Sequence, residues 1–153
     1  MTLENKKYTL DTGEQIYLSN LIGSRGLVLF FYPKAFTPGC SREIAEYSKR
    51  KDEFISLQYN IVGVSADTVE DQNKFACDLA VDVPLIADVE KDLVNQFNLW
   101  GEQTNTKGEK FIGIKRSTFI INSQLEVTDE FDGVDPVGHI QEVLDRIESK
   151  INN

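Results

Sequence analysis

The segment FYPKAFTPGC, residues 31–40, places a cysteine where its thiol could act as a nucleophile. An apolar run leads into this segment, and the residues after Cys40 have the periodicity of a helix, so the cysteine lies in a first helical turn. The unpaired backbone N–H groups of such a turn carry roughly half a positive charge. Cysteines at helix N-termini can have a pKa near 7 or below, against about 8.5 for a free thiol. The position therefore predicts an activated thiolate.

Thr37 lies three residues before Cys40, where dithiol oxidoreductases carry the first cysteine of a C-x-x-C motif. A hydroxyl at this position cannot form a disulfide, but it can donate to an oxyanion and accept from a protonated substrate oxygen. Cys40 also shares a helical stripe with Ile44 and Tyr47, which predicts a sulfur that faces the sheet. A buried structural cysteine is the common alternative. The threonine favours a sheltered nucleophile for a substrate with a polar oxygen.

The elements that position this segment alternate between strand and helix. In chain order we predict an N-terminal hairpin at KYTLDTGEQIYL, a buried strand at 26–32, a helix at 40–58, a buried strand at 60–67, a helix through VEDQNKFACDLAV capped by Thr68 and Asp71, an edge strand at PLIAD, a short helix at EKDLVNQFN, antiparallel strands at IKRSTFIIN and LEVTDEF, and a terminal helix at 137–151. The two buried strands should be parallel, with a right-handed crossover. This order predicts a thioredoxin-like α/β fold with a mixed central sheet and helices on both faces.

Length and charge exclude several classes of protein. The chain of 153 residues fits a single domain over residues 1–153. A net charge of −9, from 25 acidic and 16 basic residues, repels nucleic acids and anionic membranes. No apolar run reaches the roughly 18 residues of a membrane span, and MTLENKKYTL lacks the apolar core of a secretion signal. With only two cysteines, we expect a cytoplasmic protein rather than a disulfide-stapled secreted module.

The motif Pro33-x-x-x-Thr37-x-x-Cys40 resembles the P-x-x-x-[ST]-x-x-C signature of the peroxiredoxins, the thiol peroxidases. FYPKAFTPGCSRE is similar in particular to their bacterioferritin-comigratory, or Q-type, branch. The resemblance continues through NIVGVSADTVEDQNKFA, PLIAD, FNLWGE and KRSTFIIN, and so covers nearly the whole chain. It implies a monomeric or homodimeric enzyme that reduces hydrogen peroxide and organic hydroperoxides and is recycled by thioredoxin or a similar thiol reductant. It implies no metal and no organic cofactor.

The resemblance also implies roles for individual residues. Cys40 becomes the peroxidatic nucleophile, and Thr37 and Arg116 become the polar ligands of thiolate and peroxide. Pro33 and Gly39 complete the substrate-binding segment, with Pro33 shielding the pocket. The chemistry supports the arginine independently, because a planar guanidinium stabilises the negative charge that moves onto the leaving oxygen. Without the motif, the same residue would be interpreted as an ordinary arginine on the surface of a strand.

Glu43, in C-x-x-E spacing with Cys40, corresponds by this resemblance to the acid that helps to hold the arginine. A carboxylate at the third helical position is also a common capping residue, and both interpretations can hold together. His139, the only histidine, is expected to be a solvated residue near the start of the last helix. One histidine makes no metal site.

Cys77 is the second thiol and the point at which this chain departs from the pattern. Many Q-type members carry a second cysteine five residues after the first, where this chain has Ala45. Some relatives place theirs in the following helix, as here. Cys77 lies about 130° from the centre of the apolar stripe of its helix, which predicts an accessible thiol. We therefore interpret it as a candidate resolving cysteine, with an incidental surface thiol as the alternative.

Formation of a Cys40–Cys77 disulfide is expected to require motion. We expect the helices that carry these cysteines to lie on opposite faces of the sheet. A disulfide needs Cα atoms closer than about 7 Å. The reduced thiols should therefore be farther apart than this, so that one or both helices unwind locally before the bond closes.

Two other functions would use the same cysteine. A thiol–disulfide oxidoreductase would require a C-x-x-C motif, and TPGC lacks its first cysteine. A redox-sensing interaction protein would use Cys40 only as a switch. Peroxide turnover in the presence of thioredoxin distinguishes both from a peroxidase.

Overall fold

The computed structural model describes residues 1–35, 37–104, 107–132 and 135–151. In chain order its strands and helices are β1 (Lys7–Thr9), β2 (Gln15–Tyr17), a 3₁₀ turn (Leu18–Leu21), β3 (Gly26–Phe31), α1 (Pro38–Lys49), α2 (Lys51–Ser56), β4 (Tyr59–Ser65), α3 (Val69–Leu79), β5 (Leu85–Ala87), α4 (Asp92–Gln96), β6 (Trp100–Thr104), β7 (Lys110–Ile114), β8 (Ser117–Asn122), β9 (Val127–Asp132) and α5 (His139–Ile151).

A mixed five-stranded sheet in the order β5-β4-β3-β8-β9 forms the centre of the fold. β3 is parallel to β4 and antiparallel to β8. Every residue of β3 is buried, because helices cover both of its faces. Helices α1, α2, α3 and α5 pack on one face, and α4 with the N-terminal segments packs on the other. The predicted thioredoxin-like α/β fold is confirmed.

Most predicted elements are present. The N-terminal hairpin forms between β1 and β2, β5 lies at the edge of the central sheet, and β8 pairs with β9 in antiparallel orientation. Thr68 caps α3, since its Oγ1 accepts a hydrogen bond from the backbone N–H of Asp71 at 3.2 Å.

Helices α1 and α3 lie on the same face of the sheet, so the expectation of opposite faces is wrong. Cys40 and Ile44 of α1 share one apolar cluster with Phe75 and Ala76 of α3. The physical reason is the strand order, because β3, β4 and β5 follow one another in a single direction across the sheet. Successive right-handed crossovers that step in one direction must return on the same face.

The predicted helix at 40–58 is interrupted. α1 ends at Lys49 and α2 begins at Lys51, and Arg50 between them has φ −98° and ψ 9°. The side chains of Tyr47 and Phe54 are both buried and their ring centroids lie 5.9 Å apart. Residues seven apart face the same way on a straight helix. The apolar pattern is therefore the same with or without the break and could not reveal it.

The hairpin of β6 and β7 was not predicted. Its strands pair in antiparallel orientation, with Gly101 opposite Gly113, and burial alternates along β6. The three central residues of β6, GEQ, include no β-former, which hides the strand from propensity arguments. The connection at residues 105 and 106 lies outside the described residues.

The sheet register places the functional segments together. Phe31, the last residue of β3, pairs with Ser117, the first residue of β8. The loop that leads to Cys40 leaves this end of β3, and Arg116 immediately precedes Ser117. The two predicted site segments therefore meet at one edge of the sheet.

Candidate active site

Hydrogen bonds to β4, to the loop after it and to α3 hold the loop between β3 and α1 in place. The backbone N–H of Tyr32 donates to the carbonyl of Val64 at 3.0 Å, and the N–H of Ala35 donates to Oδ2 of Asp67 at 2.8 Å. The Tyr32 hydroxyl donates to Oε1 of the buried Gln72. These bonds fix the loop on both sides of Pro33, which is half-buried.

Thr37 is the N-cap residue of α1, but its side chain does not cap the helix. Its hydroxyl donates to the carbonyl of Lys34 at 2.8 Å, which closes the loop on itself. The lone pairs of the hydroxyl oxygen can still accept a hydrogen bond. The loop therefore fixes the orientation of the half-buried threonine.

Cys40 is 1% exposed and lies in the first turn of α1. Nη2 of Arg116 donates to its Sγ at 3.2 Å. A guanidinium in contact with a buried sulfur stabilises the thiolate over the thiol, in the same sense as the partial charge of the helix N-terminus. The sulfur is therefore sheltered from water and in contact with a permanent positive charge.

Gly39 explains how the guanidinium comes so close. A Cβ at this position would lie 3.2 Å from Nη2 of Arg116, closer than an ordinary van der Waals contact. The same Cβ would lie 3.6 Å from Cγ of Pro136. Because glycine has no side chain, Arg116 can lie between the start of α1 and the chain before α5.

Glu43 lies one helical turn after Cys40 and is fully buried. Its Oε1 accepts from Nη1 of Arg116 at 2.5 Å, so one guanidinium contacts the carboxylate and the sulfur through two different nitrogens. Burial raises the pKa of Glu43 to about 8, although Arg116 acts in the opposite direction. The carboxylate therefore positions the arginine and also competes with the thiolate for its charge.

His139 is buried, with 3% of its surface exposed, so the expectation of a solvated residue is wrong. Its Nδ1 donates to the carbonyl of Asp135 at 2.5 Å, and its Nε2 lies 2.7 Å from the hydroxyl of Tyr47. Burial lowers its pKa, which favours the neutral imidazole. A signal for this burial was present, because His139 is spaced four and eight residues before the buried Val143 and Ile147 of α5.

Cys77 occupies a different environment. It is exposed on α3, and its Sγ lies 3.9 Å from Oδ1 of Asn73. Phe75 and Ala76 of the same helix are buried, which confirms the prediction that Cys77 lies off the apolar stripe. Both cysteines are free thiols in this structure, and their separation before disulfide formation stays a prediction.

A cleft of about 170 Å³ lies beside the start of α1 and is lined by Arg42, Asp135, Pro136 and Val137. A larger cavity of about 340 Å³ is lined in part by Phe97 and Phe119, which belong to the apolar cluster on the α4 face of the sheet. It is therefore separate from the site around Cys40, which lies on the opposite face.

Within the described ranges, none of the helices combines the length and apolarity that crossing a membrane requires. The described residues likewise contain no cluster of three or more histidine, cysteine or acidic side chains that could hold a metal ion.

Known proteins resemble this chain in sequence and in structure. The model of the AhpC/TSA family matches residues 2–130. Peroxiredoxin Bcp of Bacillus subtilis is 35% identical over 134 residues, which cover 88% of this chain and 84% of that protein. Peroxidoxin BcpB of Mycobacterium tuberculosis superposes with a TM-score of 0.85 at 30% identity, covering 97% of this chain and 95% of that one. The bacterioferritin comigratory protein of Xanthomonas campestris, whose alkyl peroxide reduction activity was studied, has a TM-score of 0.84 at 30% identity and 97% coverage of both chains.

Proposed function

This chain belongs to the AhpC/TSA family as a peroxiredoxin, a thiol peroxidase, and on that basis we propose that Cys40 is the thiol that attacks the peroxide. One observation carries the assignment: the buried Sγ of Cys40 accepts a hydrogen bond from Nη2 of Arg116 at 3.2 Å. Thiolates, not thiols, are the nucleophiles in such reactions. This contact stabilises the reactive form at the end of the strand where substrates of α/β proteins bind.

In the proposed reaction, the thiolate of Cys40 donates an electron pair to one peroxide oxygen and the O–O bond breaks. The attacked oxygen remains on sulfur as a sulfenic acid. The other oxygen leaves with the electrons of the broken bond and takes up a proton from solvent, which gives water or an alcohol. Arg116 stabilises the negative charge that develops on this leaving oxygen, because its guanidinium already lies at the sulfur.

Thr37 serves as the second polar ligand of the peroxide in this proposal. Its hydroxyl hydrogen is used by the carbonyl of Lys34, so its oxygen is oriented to accept rather than to donate. A hydroperoxide carries one O–H group that can donate to it. Pro33 and Gly39 shape the same segment, since Gly39 leaves the space that Arg116 occupies.

The substrates are hydrogen peroxide and organic hydroperoxides. The alkyl peroxide reduction of the Xanthomonas protein supports the organic class. The contacts proposed for Thr37 and Arg116 involve only the O–O–H end of the molecule, so the organic part can extend into the cleft of about 170 Å³ beside α1.

We further propose that Cys77 resolves the sulfenic acid. Its thiol attacks the sulfur of Cys40, a disulfide forms and water leaves. A dithiol reductant such as thioredoxin then reduces this disulfide and is itself oxidised, which restores both thiols. The exposure of Cys77 supports this role, because a resolving thiol must be accessible both to Cys40 and to the reductant.

The anchoring of α3 supports local unwinding as the route to the disulfide. Gln72 near its start is buried, and its Nε2 donates to Oγ of Ser65 and to the carbonyl of Ile86, both at 3.0 Å. At the other end, Cys77 and the αL residue Ala80 are exposed. The buried residues of the helix all precede Cys77, so opening can be confined to its last turn.

Mass spectrometry of the peroxide-treated protein tests this cycle. We expect a Cys40–Cys77 disulfide in the wild type and a sulfenic acid on Cys40 in the Cys77→Ser variant. A sulfenic acid that persists in the wild type would show that Cys77 does not resolve it and that an external thiol does. Oxidation that appears only at Cys77 would contradict the assignment of Cys40.

A further inference from the structure

The peptide group between Lys34 and Ala35 is hydrogen-bonded at both of its ends. Its carbonyl accepts from the hydroxyl of Thr37 at 2.8 Å, and its N–H donates to Oδ2 of Asp67 at 2.8 Å. The C=O and N–H groups of a trans peptide lie in one plane and point in opposite directions. The bond from Ala35 to Asp67 therefore fixes the direction of the carbonyl that holds the hydroxyl hydrogen of Thr37.

The position of this hydrogen decides how the hydroxyl oxygen of Thr37 can meet a substrate. While the hydrogen lies on the carbonyl of Lys34, the lone pairs of the oxygen can accept from the O–H of a hydroperoxide. If the peptide turned away, the hydrogen would lose this acceptor and the hydroxyl would rotate towards another one. An oriented acceptor at Thr37 thus requires a fixed peptide two residues before it.

The carboxylate of Asp67 is itself held by buried polar side chains. Its Oδ2 accepts a second hydrogen bond from the hydroxyl of Ser65 at 2.6 Å. Oγ of Ser65 accepts from Nε2 of Gln72 at 3.0 Å, and Oε1 of Gln72 accepts from the hydroxyl of Tyr32. Ser65, Gln72 and Tyr32 are buried, so water competes little for these bonds. The end of β4 and the start of α3 therefore place the half-buried carboxylate.

Capping of the next helix does not account for Asp67. The N-cap residue of α3 is Thr68, whose side chain accepts from the backbone N–H of Asp71. Oδ2 of Asp67 instead accepts from the loop between β3 and α1, 32 residues earlier in the chain. A hydrogen bond to a charged group is roughly twice as strong as one between neutral groups, which suits a carboxylate that must hold a peptide in one orientation.

We propose that Asp67 is a positioning residue of the peroxidase reaction, which acts through the Lys34–Ala35 peptide to keep the hydroxyl of Thr37 oriented as an acceptor for the O–H of the hydroperoxide. The inference rests on the proposed function of Thr37 as a ligand of the peroxide. It extends the site from the loop before α1 to the loop after β4.

The first experiment measures the rate constant for the reaction of Cys40 with hydrogen peroxide in stopped flow. Asp67→Ala should lower it about tenfold, the lower end of the effect of a lost hydrogen bond to a charged group. Asp67→Asn keeps an oxygen for the N–H of Ala35 and should be slowed less. Asp71→Ala is the matched control, because it removes an exposed carboxylate from the first turn of α3 and should react at the wild-type rate. An Asp67→Ala rate equal to wild type, or an Asp67→Asn rate as low as that of Asp67→Ala, overturns the proposal.

A double variant separates action through Thr37 from general damage to the loop. If Asp67 acts only by orienting the hydroxyl, Thr37→Val with Asp67→Ala should react with peroxide as fast as Thr37→Val alone. A further tenfold fall in the double variant would show an independent effect and would overturn the proposal. A Thr37→Val enzyme as fast as wild type would refute the proposed function of Thr37 and this inference with it. A slow Thr37→Val enzyme beside an unimpaired Asp67→Ala enzyme refutes the role of Asp67 alone.

Alkylation of Cys40 by iodoacetamide provides a readout that does not use the hydroxyl of Thr37. Iodoacetamide reacts with the thiolate but brings no peroxide O–H for the threonine to accept. In a Cys77→Ser background, which leaves one cysteine, Asp67→Ala should be alkylated at a rate within a few-fold of its parent. An alkylation rate that falls as far as the peroxide rate, or rises tenfold because the loop has opened, would show a merely structural role and would overturn the proposal.

Discussion

Helices α1 and α3 each follow a threonine at the N-cap, and the two threonines are used differently. Thr68 caps α3 by accepting from the backbone N–H of Asp71 at 3.2 Å. Thr37 does not cap α1, and its hydroxyl donates to the carbonyl of Lys34 in the preceding loop. The start of α3 is thus stabilised internally, whereas the start of α1 keeps its partial positive charge for the sulfur of Cys40.

The two cysteines extend this contrast. Cys40 is 1% exposed and in contact with a guanidinium at the start of its helix. Cys77 is exposed near the end of α3, and the buried residues of that helix, Gln72, Phe75 and Ala76, all precede it. The fixed positive charge at Cys40 favours the reactive thiolate, and burial shelters it from water, while exposure leaves the thiol of Cys77 accessible. We therefore propose the same residue type for two steps of one cycle, because the surroundings of the two thiols differ.

The largest effect should come from Cys40→Ser. Serine has nearly the same shape but is a poor nucleophile at its free pKa, so peroxide consumption should fall to the uncatalysed rate while the fold is retained. Peroxide consumption and circular dichroism measure the two quantities. Cys77→Ser is the matched control and should still reduce one equivalent of peroxide. Retained turnover in Cys40→Ser would contradict the mechanism.

Removing the two N-cap hydroxyls tests the comparison directly. Thr37→Val should slow the reaction with peroxide by about two to three orders of magnitude, the usual cost of a lost catalytic hydrogen bond. Thr68→Val should instead cost about 1 kcal/mol of unfolding free energy and leave the peroxide rate close to wild type. Stopped-flow kinetics and urea unfolding separate the two outcomes. A Thr37→Val enzyme within a few-fold of wild type would mean that this threonine is structural only.

Disulfide formation should change the mobility of the backbone around both cysteines. We expect backbone amides at 37–42 and 74–80 to exchange hydrogen faster in the oxidised protein than in the reduced one, because both segments must leave their helical positions. The amides at 71–73 should remain protected, since Gln72 holds that part of α3 to Ser65 and Ile86. Exchange measured by mass spectrometry checks this. Equal exchange in both redox states would show that no unwinding is needed.

The smallest expected effect is on stability and depends on the titration of Glu43 alone. Its pKa is raised by burial from 4.5 to about 8, so between these values the folded protein holds a proton that the unfolded chain releases. This contribution to stability is fully present below about pH 4.5 and is lost as pH rises to about 8. Glutamine does not titrate, so Glu43→Gln removes this loss, and the stability of the variant relative to wild type should rise from about pH 4.5 to about pH 8. Urea unfolding at a series of pH values measures the difference in stability between the variant and wild type. A difference that does not change with pH would contradict this prediction.

Much of this molecule could be predicted from short stretches of its sequence. The buried strand β3, the cap at Thr68 and the position of Cys40 each depend on residues within one or two turns, and each was predicted correctly. The accessible position of Cys77 followed from the periodicity of its own helix. Local backbone geometry and hydrogen bonding determine these features, so they are contained in contiguous residues.

The predictions that failed depend on packing between distant segments. The face on which α3 lies follows from the order of the strands, which no helix pattern contains. The break at Arg50 leaves the apolar periodicity unchanged, and the β6–β7 hairpin has few β-forming residues in its first strand. His139 was expected in solvent, although its spacing matched the buried face of α5.

The sequence by itself determined that a thiol stands at a helix start, because the strand, the Pro-Gly loop and the helix are adjacent in the chain. Only the tertiary structure decided what surrounds the thiol. Arg116 reaches Cys40 from 76 residues away, and His139 reaches Tyr47 from 92 residues away. Charge and burial act through space, so the environment of the sulfur exists only once β3, β8 and α5 have packed around α1.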